Sequence, residues 1–561
     1  MTMEQLVVAV VALPLVSALL VHMSCARLGR RVARVSVTLS VITFSLAAVL
    51  LATAVVHGAS GQIALAGSWG IFLFDPLSAL MATVIAGISL IVHVYSVRYM
   101  AEEAGYGRFF VLLDIMTATL LAMVAAGDLI TLLIAWHLIG VLLYFLLGQD
   151  TRSHAAHRYA FWTLITYRFG DMPLVLAAGL LYHAYGTWSL TQIFTQIAAG
   201  PAVHSFFGIP LTGLVAGLVA VAAFARSAQF LLHTWLPYTM AGPTPVSALM
   251  HAGIVNAGGF LINRFAPVFV HTHGVLPWVF IVGLVTALIG STLMLTQNDI
   301  KKSLGYSTMG QMGFMIMECG VGAFSLAIFH LISHGLFKGT LFLGAGGVIN
   351  AARRDDGVPK DALYTFVVEK RPARVRRPWI LMAAITLAVP VSILIVAHSL
   401  VGENYFQQQG AVVLLFFGWI TGAQLIFATY RMRTGNLWRL VALSILSFTV
   451  IVVGYTLISH AFDLFLYPDE AFRQQIYTAA NIGALRFDVL VGLVTALIVG
   501  GWVLTYYSEQ NGSGRSGHHG RVWLTFYALI SREFYLTDLF SRLSRALLAT
   551  ATRLNVLLRW V

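Results

Sequence analysis

Charge is what this chain has least of. Asp, Glu, Lys and Arg make up 10% of its 561 residues and hydrophobic residues 59%, whereas a soluble protein is about a quarter charged. A string of soluble domains is excluded, and the chain reads as a polytopic membrane protein. Cysteine is nearly absent too. Cys25 and Cys319 cannot build a disulfide framework, a zinc site or an iron–sulfur cluster, and both read as small buried thiols in or beside apolar segments. No quinone, flavin or haem signature is present, so no cofactor is expected in this chain. The first apolar run, 6–21, has no basic stretch before it and reads as a membrane helix rather than a cleavable signal.

What is present is a succession of apolar runs. A membrane helix needs about 20 such residues. Roughly fifteen spans are predicted, with cores at 4–23, 35–56, 74–97, 109–126, 128–148, 159–183, 211–232, 244–263, 277–296, 304–320, 323–349, 378–400, 411–430, 440–460 and 488–507. Arg27, Arg30, Arg31 and Arg34 follow the first span, Arg98 and Arg108 the third, Arg152 and Arg158 the fifth, Lys301 and Lys302 the ninth. The long basic stretch 350–377 follows the eleventh. The alternate loops 57–73, 184–210 and 401–410 contain no Lys or Arg. Basic loops stay cytoplasmic, so the N-terminus is expected outside and the C-terminus in the cytoplasm, as an odd span count requires. The net charge of +12 therefore speaks for orientation against membrane lipid, not for nucleic acid. After a Gly/Ser-rich linker from Ser508 to Gly520, residues 521–558 alternate apolar side chains with Arg532, Arg542, Arg545 and Arg553. A basic amphipathic helix on the membrane surface or against a partner fits this pattern; a sixteenth span or a frayed tail is the alternative.

The few ionisable residues inside the apolar runs stand out, because a charge at bilayer depth is expensive and usually marks an ion path. In AIFHLISHGLFKGTLFL, His330, His334 and Lys338 are spaced four apart and share one helix face as a polar stripe about 12 Å long. Histidine exchanges protons near neutral pH, and a buried lysine gives its proton up readily. In FARSAQFLLHTWLPYTMAGPTPVSALMHA, Pro237, Gly242, Pro243 and Pro245 interrupt a helical pattern flanked by Arg226, His233 and His251. Broken helices of this kind line cavities and build ion sites; an ordinary loop between two spans is the plainer alternative. Glu318, in MIMECGVG, is either a proton site or a span-end residue facing water.

The segments HTWLPYTMAGPTPVSALMHAG, LTQNDIKKSLGYSTMGQMGF and AIFHLISHGLFKGTLFL resemble the proton-translocating antiporter-like subunits of respiratory complex I and of Mrp sodium/proton antiporters. The resemblance is strong over about 110–350 and loose elsewhere; REFYLTDLFSRL also resembles the end of the distal complex I subunit. It implies a proton path carried by a glutamate on the fifth span and by lysines on the broken seventh and twelfth helices. This chain departs at all three. His137 follows Trp136 where the glutamate is expected, Arg226 stands at the seventh-helix lysine, and span 378–400 offers only His398. Lys338 matches the bridging residue of the eleventh helix, and Arg168 and Asp171 match the charged pair of the sixth. Arginine does not deprotonate in a protein, so Arg226 can hold a charge or gate a path but cannot relay by losing a proton. Asp171 is the candidate counter-ion for Arg168.

The altered coupling residues, and the lack of a long lateral helix after the last span, make the chain most similar to the DabB-type subunit of bacterial inorganic-carbon transporters. That resemblance implies a bacterial inner-membrane subunit paired with a cytoplasmic, zinc-containing, carbonic-anhydrase-like DabA-type partner. It further implies that cation flux, with the proton as the expected ion, is coupled to hydration of CO2 to bicarbonate. The zinc would belong to the partner, and this chain would be a transporter subunit rather than an enzyme. A respiratory or Mrp-type pumping subunit and a non-conducting anchor are the competing readings. On this basis the all-α chain divides into N-terminal transmembrane helices (1–108), a conducting core (109–349), a basic cytoplasmic loop (350–377), C-terminal transmembrane helices (378–507), and a linker with a basic amphipathic helix (508–561).

Overall fold

Two kinds of local signal set the helix boundaries: side-chain caps at the starts and glycines at the ends. In the computed structural model, Thr2 and Gln5 form a reciprocal capping box that opens α1 (Met3–Leu28), and Gly29 ends it. One tight turn leads into α2 (Val32–His57). The Asp75 carboxylate accepts from Ser78 N at 2.7 Å and starts α3 (Pro76–Tyr99), with proline at the first helical position where no amide proton is needed. Asp128, one of the scarce acids, caps α5 (Leu129–Leu147) through Thr131 and also accepts from Ile71 N at 2.7 Å. Its role is thus architectural.

The structure describes residues 2–58, 60–66, 69–200, 205–206, 208–297, 299–353, 437–483 and 520–559, with isolated positions at 388, 392 and within 486–500. The remaining elements are α4 (Tyr106–Val124), α6 (His154–Tyr185), α7 (Leu190–Ala199), α8 (Leu211–Arg226), α9 (Thr244–Leu249), α10 (Ala257–Arg264), α11 (Ala266–Phe269), α12 (Val275–Leu295), α13 (Ile300–Gly320), α14 (Phe324–Arg353), α15 (Leu437–Leu466), α16 (Glu470–Ala479), α17 (Gly520–Ser531) and α18 (Leu536–Leu558). Among the described residues, eight helical stretches are long and apolar enough to cross a membrane, the first being α1 and α2 as one hairpin. The predicted span 411–430 and, but for positions 388 and 392, the span 378–400 with His398 lie outside the described residues, as does most of 488–507 and of the basic loop 350–377.

Two compact units result. The first holds residues 1–320, 324–346 and 525–561; the second holds 321–323 and 347–524. In the second, Asp469 caps α16 by accepting from Ala471 N at 3.0 Å. The first carries the chemistry. Its two ends differ. The turn after α1 with Arg30 and Arg31, the end of α3 with Arg98 and the start of α4 with Arg108 share one end. At the other end, the predicted loop 57–73 contains a hairpin of β1 (Gly61–Ala66) and β2 (Trp69–Phe74), paired from Gly61 with Phe74 to Ala66 with Trp69. β2 is tied on by Leu73 N to Ala125 O and Gly127 N to Ile71 O. A second, very short hairpin pairs β3 (Ser205–Phe206) with β4 (Ile209–Pro210). Arg264 closes that end: it pairs with Asp75 and donates to Val124 O at 3.1 Å. Cys319 is buried as expected, whereas Cys25 is only partly so.

The expected break after α8 is real. Arg226 ends that helix, Ala228 and Leu231 adopt left-handed backbone, and a 3-10 segment (Leu236–Ala241) precedes α9 and a π-turn (Met250–Ile254). Left-handed non-glycine residues cost about 1–3 kcal/mol each and need enforcing surroundings. Here Ser227 Oγ donates to Val255 O at 2.7 Å, Gln229 N to Phe224 O at 3.0 Å, and Phe230 N to Thr286 Oγ1 at 2.9 Å. Freed backbone groups are thereby satisfied inside the protein, as the membrane interior demands.

The basic amphipathic C-terminal segment forms two helices, α17 and α18, separated by three left-handed residues, Glu533, Phe534 and Tyr535. α18 is not among the stretches apolar enough to span. It rests on the bundle through Phe540 against Trp162 (ring centroids 5.3 Å apart), and the buried Glu533 carboxylate accepts from the Tyr238 hydroxyl at 3.1 Å.

Helices α12 and α13 approach at backbone distance because small residues face each other. A Cβ at Gly313 would collide with the backbone of Ala287 and Gly283, the close-packing device of membrane helices. Gly313→Ala is therefore expected to lower stability by about 1–3 kcal/mol. Gly217→Ala on α8, where nothing lies within 4 Å, should be neutral or stabilising by about 0.5–1 kcal/mol through helix propensity. Thermal unfolding of the two purified variants side by side measures both; equal midpoints would contradict the packing account.

Candidate functional site

The ionisable residues predicted from the sequence fall into two clusters joined by the broken helix. The first is built on α5, α6 and α8. Asp171 is one turn after Arg168 on α6; its carboxylate forms an ion pair with Arg168 Nη2 at 3.0 Å, accepts from Arg226 Nη2 at 3.4 Å, and has His137 Nδ1 at 3.2 Å. Arg168 also lies against the His137 ring and donates to His137 O at 3.1 Å. Gly140 on α5 makes this possible, since a side chain there would occupy the guanidinium's place.

Arg226 is 1% exposed. It is held by more than charge. Nη2 donates to Trp136 O at 2.6 Å, and the guanidinium carbon lies 4.4 Å from the Trp136 ring centroid and 4.1 Å from that of Tyr167. Arginine is the cation suited to this sandwich, being planar and weakly hydrated, and desolvated cation–π contacts are worth about 2 kcal/mol. The site thus sets two permanent positive charges and a histidine around one carboxylate. Asp171 is the counter-ion not only of Arg168, as its i, i+3 spacing indicates, but of Arg226 as well.

The second cluster is built on α13, α14 and the π-turn. Glu318 is 1% exposed, so it does not face water. His330 Nδ1 lies 3.0 Å from its Oε1, and His330 Nε2 lies 3.0 Å from Gln311 Oε1. With an oxygen facing each ring nitrogen, this arrangement suits a ring that donates from both nitrogens. Half a turn of the Gln311 amide presents a donor instead and suits the neutral ring. The His334 ring centroid is 6.3 Å from that of His330. Lys338, also 1% exposed, donates to Leu304 O at 3.3 Å. His251 stacks on Phe342 of α14 with centroids 4.3 Å apart.

Gly335 allows α14 to press onto the π-turn, because a Cβ there would meet Ala252 O. Asn256 bridges the same seam by donating to Ala252 O at 2.9 Å and Leu331 O at 3.3 Å. His233, on the irregular segment between the clusters, stacks on Phe230 at 5.7 Å and approaches Tyr306 at 6.4 Å. The ring nitrogens of His233, His251 and His334 are buried without a protein hydrogen-bond partner among the described residues. Such groups are rare and costly.

The sequence reading missed the aromatic walls Trp136 and Tyr167 around Arg226, although Trp136 adjoins His137. It also missed Gln311, whose position two turns before Glu318 on α13 is a usable signal. Among the described residues no group of three or more His, Cys, Asp or Glu side chains is placed to hold a metal ion. What the arrangement can do is hold fixed charge at one end and move protons among titratable groups at the other.

Comparison with known proteins follows the same lines. Residues 126–421 match the family described as NADH:quinone oxidoreductase/Mrp antiporter, transmembrane, and residues 67–110 match the complex I chain 5 N-terminus. The chain is 60% identical over 549 residues to the "Probable inorganic carbon transporter subunit DabB1" of Halothiobacillus neapolitanus, covering 98% of both chains. It is 40% identical over 304 residues to the chloroplastic NAD(P)H-quinone oxidoreductase subunit 5 of Tecoma stans, spanning 53% of this chain but only 40% of that one. In fold it is similar to a chain of the Mrp complex from Dietzia sp. DQ12-45-1b, with a TM-score of 0.57 at 22% identity, over 100% of this chain and 60% of that one. It is likewise similar to a chain of respiratory complex I from Thermus thermophilus, with a TM-score of 0.57 at 20% identity, over 84% and 99% respectively. The chain is a polytopic membrane protein that belongs to the NADH:quinone oxidoreductase/Mrp antiporter transmembrane family.

Proposed function

We propose that this chain is the proton-conducting membrane subunit of a bacterial inner-membrane complex for inorganic-carbon uptake. Its partner would be a cytoplasmic, zinc-containing subunit of the carbonic-anhydrase-like DabA type, in which proton flux drives hydration of CO2 to bicarbonate. The observation that carries the carbon assignment is the 60% identity, over 98% of both chains, to a relative named as an inorganic carbon transporter subunit. Chloroplast quinone-oxidoreductase relatives favour a respiratory reading over half the chain. Arg226 and His137 weigh against it, since neither supplies the acid or the titrating lysine that the pumping relatives are expected to use.

In the proposed mechanism, Glu318, His330, His334 and Lys338 pass the proton, with His251 and His233 extending the row towards the broken helix. The ring nitrogens of His334, His251 and His233, which have no hydrogen-bond partner among the described residues, support this role, because a buried ring that donates to nothing is ready to bond a water or a neighbour. Arg226 does not relay. It keeps a fixed positive potential beside the break, and Asp171, Arg168 and His137 set its strength.

Three outcomes test the reading. Expressed alone, the chain should fail to restore growth in air to a bacterium lacking carbonic anhydrase, whereas co-expression with the cytoplasmic partner should restore it; rescue by this chain alone would sink the coupled reading. Lys338→Ala should reduce uptake to background while insertion and partner co-purification persist, and normal uptake would favour a passive anchor. Arg226→Lys should keep part of the activity with an altered pH profile, because charge stays but the planar stack is lost. Arg226→Ala should lose transport. It also removes one of the two guanidinium partners of Asp171, leaving Arg168 at 3.0 Å, so protein amount is measured alongside. Wild-type transport by Arg226→Ala would show that the path runs without this charge.

A further inference from the structure

A third buried ionic group lies apart from both clusters, in the bundle of α1 to α4. His93 on α3 is 0% exposed and Asp114 on α4 is 1% exposed. His93 Nε2 lies 3.1 Å from Asp114 Oδ1, and His93 Nδ1 lies 2.7 Å from Ser89 O. The same carboxylate accepts from Ser17 Oγ of α1 at 2.8 Å and from Ser36 Oγ of α2 at 2.9 Å. Ser89 Oγ bonds Thr117 Oγ1 at 2.6 Å, and the Phe110 ring lies 6.1 Å from the imidazole. All four helices thus supply a group, and no other titratable side chain among the described residues is bonded to the pair.

The proton count follows from the geometry. A carbonyl oxygen only accepts, so the short contact to Ser89 O places a proton on Nδ1. The contact between Nε2 and Oδ1 needs one proton as well, carried by the ring or by the carboxyl. Either way the pair is neutral with one proton between nitrogen and oxygen. Removing it leaves a bare carboxylate in a dry bundle; adding another leaves a bare imidazolium. A buried ion pair is a poor source of stability, since apolar side chains of similar volume often do as well or better. What the pair has that apolar packing lacks is an exchangeable proton. Unlike Asp171, whose arginine partners keep their charge, it can change charge only by protonation.

Its position gives that proton a use. His93 is six residues from the end of α3 and Asp114 eight from the start of α4, about 9–12 Å of helix from the end that carries Arg30, Arg31 and Arg98. α3 also reaches the conducting row. The Tyr95 hydroxyl donates to Leu343 O of α14 at 3.2 Å, and the Tyr99 hydroxyl bonds Thr244 Oγ1 of α9 at 3.0 Å. We propose that His93 and Asp114 form a second proton-binding site, separate from the Glu318–Lys338 row, which holds one exchangeable proton near the basic end and is linked through α3 to α9 and α14.

The test needs no transport assay and so stands or falls apart from the carbon-uptake reading. Infrared difference spectra are recorded across a pH titration of the full-length chain in lipid vesicles, in light and heavy water. An isotope-sensitive carboxyl or imidazolium band should appear with pH, vanish in Asp114→Asn and be altered in His93→Gln. Ser17→Ala with Ser36→Ala, which strips donors from the carboxylate, should change proton affinity about three- to tenfold. Identical pH-dependent bands in wild type and Asp114→Asn would overturn the proposal and leave a static ion pair. If Asp114→Asn does not insert, the serine variants decide: an unchanged titration overturns it, and a shifted one supports it.

Discussion

One carboxylate has to balance two guanidinium groups where little water reaches. Asp171 meets Arg168 at 3.0 Å and Arg226 at 3.4 Å, and neither cation can be relieved by losing a proton. Much of the local architecture answers this imbalance. The carbonyl of Trp136 turns towards Arg226, two aromatic faces flank the guanidinium, and Gly140 clears room for Arg168 against α5. The helices α5, α6 and α8 are therefore held to one another by a charge that would be intolerable if any one of them moved away.

The helix breaks immediately after Arg226, with Ala228 and Leu231 in left-handed backbone. Once broken, the chain must satisfy its freed backbone groups, and it does so with Ser227, Thr286 and Asn256 rather than with solvent. That irregular stretch then carries His233 and, through the π-turn, His251 to the row on α14. Gly335 sets how closely the two approach. Irregular backbone at membrane depth is permitted where it is enclosed by protein, and here the enclosure and the polar row are one feature.

Much of this was legible in the sequence for physical reasons. Spans reveal themselves by apolar length, and most predicted cores lie within a few residues of the helices found. The stripe His330–His334–Lys338 follows from the four-residue repeat, and the break follows from three prolines and a glycine. Partner choice was less legible, because it depends on which faces meet. Nothing local places the Arg226 guanidinium between Trp136 and Tyr167, or decides that Glu318 faces His330 rather than water. The hairpin at 61–74 was hidden because its pairing is short and its loop lacks charge. The four-helix meeting at Asp114 was hidden because Ser17, Ser36 and His93 read singly as ordinary polar residues within apolar runs.

The separation of fixed from titratable charge gives the proposed role its logic. A lysine beside the break can discharge, so the field it exerts rises and falls with the proton it carries. An arginine in that place makes the field constant. In the proposed role, proton movement is governed by groups that can change state, and these are concentrated on α13 and α14, where Glu318 faces His330 and His330 faces Gln311. A constant positive potential at one end opposes the arrival of a second positive charge nearby. In the proposed role it would favour transfer along the α14 row one proton at a time. Such a row suits a subunit that delivers proton flux to chemistry performed elsewhere, because the membrane chain then needs no cycle of its own beyond emptying and refilling the same few sites.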